Sequence, residues 1–350
     1  SLSLSLSLSL SLSLSLSLYV SVYLCNSDLA MASSTFFWGE TPEEEYYASQ
    51  GVKNTKSFFP TPYGRLFTQS WIPSSASSSS STRGLVFCTH GYGSDSSWMF
   101  QKVCIPFAQW GFSVYAADVI GHGQSDGIPG YIADVESTAA ASLLFYQSVR
   151  DMDSHQHLKK FLLGESMGGG LTFLMILQDP KGWDGVIFCA PLFVMPKEMT
   201  PSPWRLFWYS LLLGFAETWA VMPMSNVRGK AFKDPEKAKV VLANPRRYKM
   251  PARVGTMRQL RKMCDIFQKR CGEVEVPFLV VHGTGDNITD YVGGQILSDR
   301  ARSSDKTVKI YDDLYHSLIQ AENDESIALV LSDIKAWIDA HTPVPHTQDP

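Results

Sequence analysis

The stretch Phe161-Leu162-Leu163-Gly164-Glu165-Ser166-Met167-Gly168-Gly169-Gly170 ends an apolar run in a Gly-x-Ser-x-Gly pattern, and the apolar, helix-favouring segment 171–177 follows at once. Strand, sharp turn and helix form the context in which such a serine sits on a strained backbone, its hydroxyl exposed at the edge of a parallel sheet. Side chains at the two flanking positions would collide with the neighbouring strand and helix, so Gly164 and Gly168 meet a steric need. Ser166 is the candidate nucleophile. The competing reading is a Gly-rich turn without chemistry, and the rest of the chain decides between them.

Outward from this turn, strands and helices alternate. Upstream, 85–89 and 112–117 read as strands and 98–110 and 135–152 as helices. Downstream, 185–190, 277–282 and 307–311 read as strands, with helices at 293–301 and 326–340. This rhythm predicts an α/β fold, a mainly parallel sheet flanked by helices. Two earlier strands, 53–59 and 64–71, joined through Pro62-Tyr63-Gly64, read as a hairpin.

Between 195 and 251 the rhythm breaks. Four prolines lie from Pro196 to Pro223, a bulky apolar run occupies 206–216, and a charged helix is predicted near 230–242. The break predicts an inserted helical cap, or lid; its apolar run is too short to cross a bilayer. The expected organisation is an N-terminal extension at 1–50, a core in two parts at 51–194 and 252–341, the cap at 195–251 and a tail at 342–350.

Residues 1–18 are a perfect Ser-Leu repeat. It lacks the basic start and unbroken apolar core of a signal peptide. A TC dinucleotide repeat read in triplets encodes the same alternation, so 1–30 are expected to be translated upstream sequence, with Met31 as the natural start. Residues 31–49, with Glu40, Glu43, Glu44 and Glu45, are expected to be a solvated arm that packs loosely. The Ser-rich segment 74–81 reads as a surface loop.

The 350 residues are 45% apolar and 18% charged, with a formal net charge of −4 and no long basic run, which argues against a nucleic-acid partner. Six cysteines form no Cys-x-x-Cys pair and eight histidines no ligand cluster. The pattern points to a reducing, cytoplasmic setting and to no metal.

Ester cleavage by Ser166 needs a base within hydrogen-bond reach and a carboxylate to hold that base. Asp286 and His316 each follow a predicted strand, at the carboxyl edge where Ser166 emerges, and they fall in the chain order Ser, Asp, His. Asp290 is the nearest rival of Asp286. His282 rivals His316, but it closes its strand and is expected to be buried. The oxyanion needs two backbone N–H donors, for which Met167, after the nucleophile, and Tyr92, in the loop after 85–89, are best placed. His90 and Asp95 also fit an H-x4-D pattern associated with acyl transfer; a loop-stabilising His beside a capping Asp is the preferred reading. The Gly121–Gly127 stretch reads first as a structural turn, with contact between its exposed face and the substrate as the alternative.

Together, His90-Gly91-Tyr92-Gly93-Ser94-Asp95, Gly121-His122-Gly123-Gln124-Ser125-Asp126-Gly127, Gly164-Glu165-Ser166-Met167-Gly168-Gly169, His282-Gly283-Thr284-Gly285-Asp286 and Tyr315-His316-Ser317-Leu318 resemble the plant monoacylglycerol lipase family. Phe37-Trp38-Gly39, Pro42-Glu43-Glu44-Glu45-Tyr46-Tyr47 and Ala190-Pro191-Leu192-Phe193 look most like the caffeoylshikimate esterases within it. The resemblance covers 37–340. It implies an α/β-hydrolase with a helical cap and no cofactor, Ser166, Asp286 and His316 as the triad, and Tyr92 and Met167 as oxyanion donors. It implies a serine esterase acting through an acyl-enzyme on a small-molecule ester. A phenolic ester such as caffeoylshikimate is favoured over a monoacylglycerol, and an acyltransferase or a non-catalytic ligand-binding protein ranks lower. Peripheral membrane contact through the cap is compatible with it. Three positions depart from the family pattern: Gln124, where Arg is usual; Gly285, where Ala is usual; and Asn287-Ile288-Thr289-Asp290-Tyr291, where Val usually stands at Ile288 and Pro near Tyr291. None removes a catalytic atom, so they bear on the substrate.

Overall fold

The computed structural model describes residues 36–75, 82–196, 216–222 and 231–342. The predicted repeat and start at 1–31, most of the Ser-rich loop, the apolar run up to 215 and nearly all of the tail lie outside the described residues. The chain divides into a unit ending at Glu40 and a unit from Thr41 onward. In the first, Gly39 N–H donates to Phe36 O (3.2 Å), and the Phe36 and Trp38 rings stack 4.5 Å apart.

The second unit runs through α1 (Glu43–Ser49), β1 (Val52–Thr61), β2 (Gly64–Pro73), β3 (Gly84–Thr89), α2 (Gln101–Gln109), β4 (Ser113–Ala117), α3 (Val135–Arg150), β5 (Lys159–Glu165), α4 (Met167–Gln178) and β6 (Gly185–Cys189). It continues with β7 (Ala220–Met222), α5 (Pro235–Leu242), β8 (Ala252–Arg253), α6 (Val254–Arg270), β9 (Phe278–Gly283), α7 (Val292–Arg300), β10 (Lys306–Tyr311) and α8 (Asp324–Ala340). Eight strands form one sheet in the order β1-β2-β4-β3-β5-β6-β9-β10. The β1–β2 hairpin and the β2–β4 pair are antiparallel; every pair from β4 to β10 is parallel. Every residue of β3, β6 and β9 is buried, which is why these strands read as unbroken apolar runs. The expected mainly parallel sheet with flanking helices is the one observed.

Two expectations need correction. The segment 252–270 carried no predicted element, yet α6 is a 17-residue helix. Its Leu260, Met263 and Phe267 are buried at helical spacing against the helix that follows the nucleophile. Phe267 stacks on Phe193 (4.2 Å) and meets Phe173 of α4 edge-on (5.3 Å). The arm is also not loose over its last part. Tyr47 of α1 is buried and its hydroxyl donates to Gln101 Oε1 (2.6 Å), which fixes α1 against α2. One aromatic anchor outweighs the acidic residues of α1, because Glu44 and Glu45 stay in solvent and Glu43 pairs with Lys56 while Tyr47 is buried.

Candidate active site

The turn after β5 is built from backbone contacts too close for any side chain. A methyl group on Gly164 would stand 2.4 Å from the Gly168 carbonyl oxygen, and one on Gly168 would stand 2.1 Å from that of Thr89. So β5, α4 and β3 converge at distances that only glycine permits, as the sequence reading required. Ser166 caps α4 with φ 56° and ψ −122°, a conformation that a non-glycine residue adopts at a cost of about 1–3 kcal/mol. Gly91 lies alongside, since a methyl group there would be 3.1 Å from Ser166 Cβ.

The side chains meet as follows. Ser166 Oγ is 2.8 Å from His316 Nε2, and His316 Nδ1 is 2.7 Å from Asp286 Oδ2. Asp286 is fully enclosed: its Oδ1 accepts from the N–H groups of Ile288 (2.7 Å) and Thr289 (3.1 Å). Burial opposes ionisation of Asp286, but the charge of His316 and hydrogen bonds from His282 and His316 hold its carboxyl well below the ordinary range. Burial alone would keep His316 neutral; the adjacent Asp286 carboxylate, with help from Glu165, outweighs it and raises the imidazole pKa. The rival Asp290 lies elsewhere, accepting from Val292 N–H (3.0 Å) at the start of α7.

Sequence reasoning missed three neighbours. His282 is buried as expected, but its Nε2 also reaches Asp286 Oδ2 (3.0 Å), and its Nδ1 is without a partner among the described residues. Thr289 Oγ1 lies 2.8 Å from the same carboxylate oxygen, 3.2 Å from His316 Nδ1 and 3.1 Å from Ala190 O. The Asp-x-x-Thr spacing in a turn was the available signal. Glu165, beside the nucleophile, accepts from Gln320 Nε2 (2.5 Å), which links the end of β5 to the loop bearing His316. Burial pushes the Glu165 carboxyl up to about 7, against the pull of His316, the Gln320 hydrogen bond and Arg247.

The oxyanion candidates flank this group. Met167 is the first residue of α4, and a first-turn N–H has no partner within its own helix. Tyr92 directly follows Gly91, and its hydroxyl donates to Gly130 O (3.0 Å), which ties down the loop. His90 Nε2 accepts from Val119 N–H (2.9 Å), while Asp95 Oδ1 accepts from Ser97 N–H (2.7 Å). Both are engaged in holding loops. Among the described residues no His, Cys, Asp or Glu cluster is arranged to hold a metal ion, and no helix is long and apolar enough to cross a membrane.

Such a sheet, with a serine on the strained turn after its central strand, defines a serine hydrolase of the α/β-hydrolase fold. A family described as serine aminopeptidase, S33 (Hydrolase_4) matches residues 80–324, more than half of the chain. The caffeoylshikimate esterase of Arabidopsis thaliana is 52% identical over 304 residues, 87% of this chain and 90% of that protein. A monoacylglycerol lipase of Mycolicibacterium smegmatis is 28% identical over 289 residues, 79% of this chain and 94% of that one. Among solved structures, a monoglyceride lipase of Saccharomyces cerevisiae, with 18% identity, superposes with a TM-score of 0.72 over 82% of this chain and 96% of that one, a likeness of fold. The chain belongs to the Hydrolase_4 family, together with the caffeoylshikimate esterase of A. thaliana, and is a serine ester hydrolase.

Proposed function

We propose that this chain hydrolyses a phenolic ester of the caffeoylshikimate type, releasing caffeate and shikimate. The observation that carries this is the 52% identity to an enzyme of that name across nine-tenths of its length. In the proposed mechanism Ser166 Oγ attacks the ester carbonyl as His316 Nε2 takes its proton. The Met167 and Tyr92 N–H groups stabilise the oxyanion. His316 returns the proton to the departing alcohol, and water then cleaves the caffeoyl-enzyme by the same steps. Asp286 keeps the proton on His316 Nδ1, so that Nε2 is free to accept.

Residues 195–251 are read as a cap over this site. At its described margins Trp219 (58% exposed), Val221 (54%) and Met250 (53%) offer apolar surface suited to an acyl or aryl group, or to peripheral contact with a membrane. Apolar fit alone separates substrates weakly, by roughly 1–3 kcal/mol per group. Monoacylglycerol is the alternative substrate, favoured by the relative from M. smegmatis. The deciding experiment is kcat/KM for caffeoylshikimate against 2-oleoylglycerol in one preparation. The expected result is a preference for the phenolic ester. A hundredfold preference for the glyceride would reverse the substrate assignment and leave the mechanism intact.

His282 bears on the pH profile. A carboxylate only accepts, so His282 Nε2 donates to Asp286 Oδ2, the same oxygen that His316 engages. This second donor draws off charge that would otherwise stabilise the His316 imidazolium. Replacing His282 with Leu is expected to raise the His316 pKa further. Because the base must be neutral, activity would then appear only at higher pH: the acid limb of kcat/KM should move up by roughly one unit. His282→Gln retains a donor and should restore most of the profile. A reduced rate with an unmoved acid limb would assign His282 to packing alone.

A further inference from the structure

A pocket of about 390 Å³ lies between the turn that holds His122 and Gly123 and the segment 246–253. Among the described residues that line it are four cations, Arg246, Arg247, Lys249 and Arg253, and no carboxylate. Its wall is joined to the loop beside the nucleophile: Tyr248 N–H donates to Gly93 O (3.0 Å), and the Tyr92 and Tyr248 rings are 6.0 Å apart. Gly91, two residues from Gly93, is the glycine that abuts Ser166. Arg247 is near enough to Glu165 to pull that carboxyl toward its ionised form, so its charge is felt at the residue preceding the nucleophile.

The two candidate substrates differ in charge on the alcohol side. Shikimate carries a carboxylate and glycerol carries none. We propose that this pocket is the subsite for a carboxylate on the alcohol half of the ester, with the Arg247 guanidinium as its principal cation. The choice of shikimate rests on the phenolic-ester reading above. A guanidinium matches a carboxylate with two parallel N–H donors, and the neighbouring cations add a positive field that draws an anion in. The volume falls within the range of small-molecule pockets, roughly 300–1,000 Å³.

The test compares Arg247→Met, Arg247→Lys and the unaltered chain on caffeoylshikimate, on its ring-carboxylate methyl ester and on 4-nitrophenyl butyrate. Arg247→Met is expected to lose about 10–100-fold in kcat/KM on the free acid, mainly through KM, the scale of a lost charge-assisted pair. Its loss on the two neutral esters should be at least about tenfold smaller, and Arg247→Lys should recover part of it. Equal losses on all three esters would mean that Arg247 serves only Glu165 and the loop, and would overturn the subsite. Free shikimate is then tested as a competitive inhibitor of butyrate hydrolysis. Competition that depends on Arg247, without turnover of caffeoylshikimate, would sink the phenolic-ester reading and support the subsite. Turnover of caffeoylshikimate indifferent both to methylation and to Arg247 would keep that reading and overturn the subsite, as would the absence of competition by shikimate.

Discussion

Replacing Ser166 with Ala is expected to lower kcat by about 10⁶-fold while leaving the fold in place, the scale seen when a member of a cooperating triad is removed. The fold should survive because the turn is held by backbone contacts, not by the hydroxyl. The Gly164 and Gly168 approaches and the Ser166 N–H donating to Cys189 O (3.0 Å) do not involve Oγ. Alanine keeps the Cβ, so the strained φ of 56° is neither relieved nor worsened. What is lost is the atom 2.8 Å from His316 Nε2. Two measurements check this: kcat on any cleaved ester, and covalent labelling by a fluorophosphonate probe, which should vanish in the variant. Retention of more than about a hundredth of the activity would mean that Ser166 is not the nucleophile.

How far this was legible in the sequence depends on where each signal resides. The elbow was legible because steric need is local: Gly164, Ser166 and Gly168 are fixed by contacts of their own turn with adjacent elements. The buried strands were legible because both faces of β3 and β9 are covered, which leaves no polar position to blur the run. Helix α6 was not. Its exposed face carries Arg258, Arg261 and Lys262, and its buried face acquires meaning only beside Phe173 and Phe193, far away in sequence. The environment of Asp286 was half legible. Chain order pointed to Asp286 and His316, but a second and third neighbour on one carboxylate oxygen is a fact of three-dimensional crowding. His282 and Thr289 were readable only as a buried strand end and a turn residue.

That crowding determines what Asp286→Asn should do. Asp286 Oδ2 faces His316 Nδ1, His282 Nε2 and Thr289 Oγ1, and Oδ1 faces two backbone N–H groups, so all five neighbours are served by a group that only accepts. An amide cannot serve them all. With its NH₂ toward the backbone, two buried N–H groups lose their acceptor, at about 1–3 kcal/mol each. With its NH₂ toward the histidines, His316 must accept at Nδ1 and so carries its proton on Nε2, facing Ser166 Oγ, where it cannot act as base. The backbone N–H groups cannot move, whereas a histidine tautomer can change, so the second orientation is expected to win. The predicted result is a loss of about 10⁴-fold in kcat with the chain still folded, as expected for a base held in the wrong tautomer. It is read from kcat together with a thermal melt. A variant within tenfold of the unaltered chain would show that another group orients His316. Asp290 would not fill that role, because its carboxylate is engaged at the start of α7.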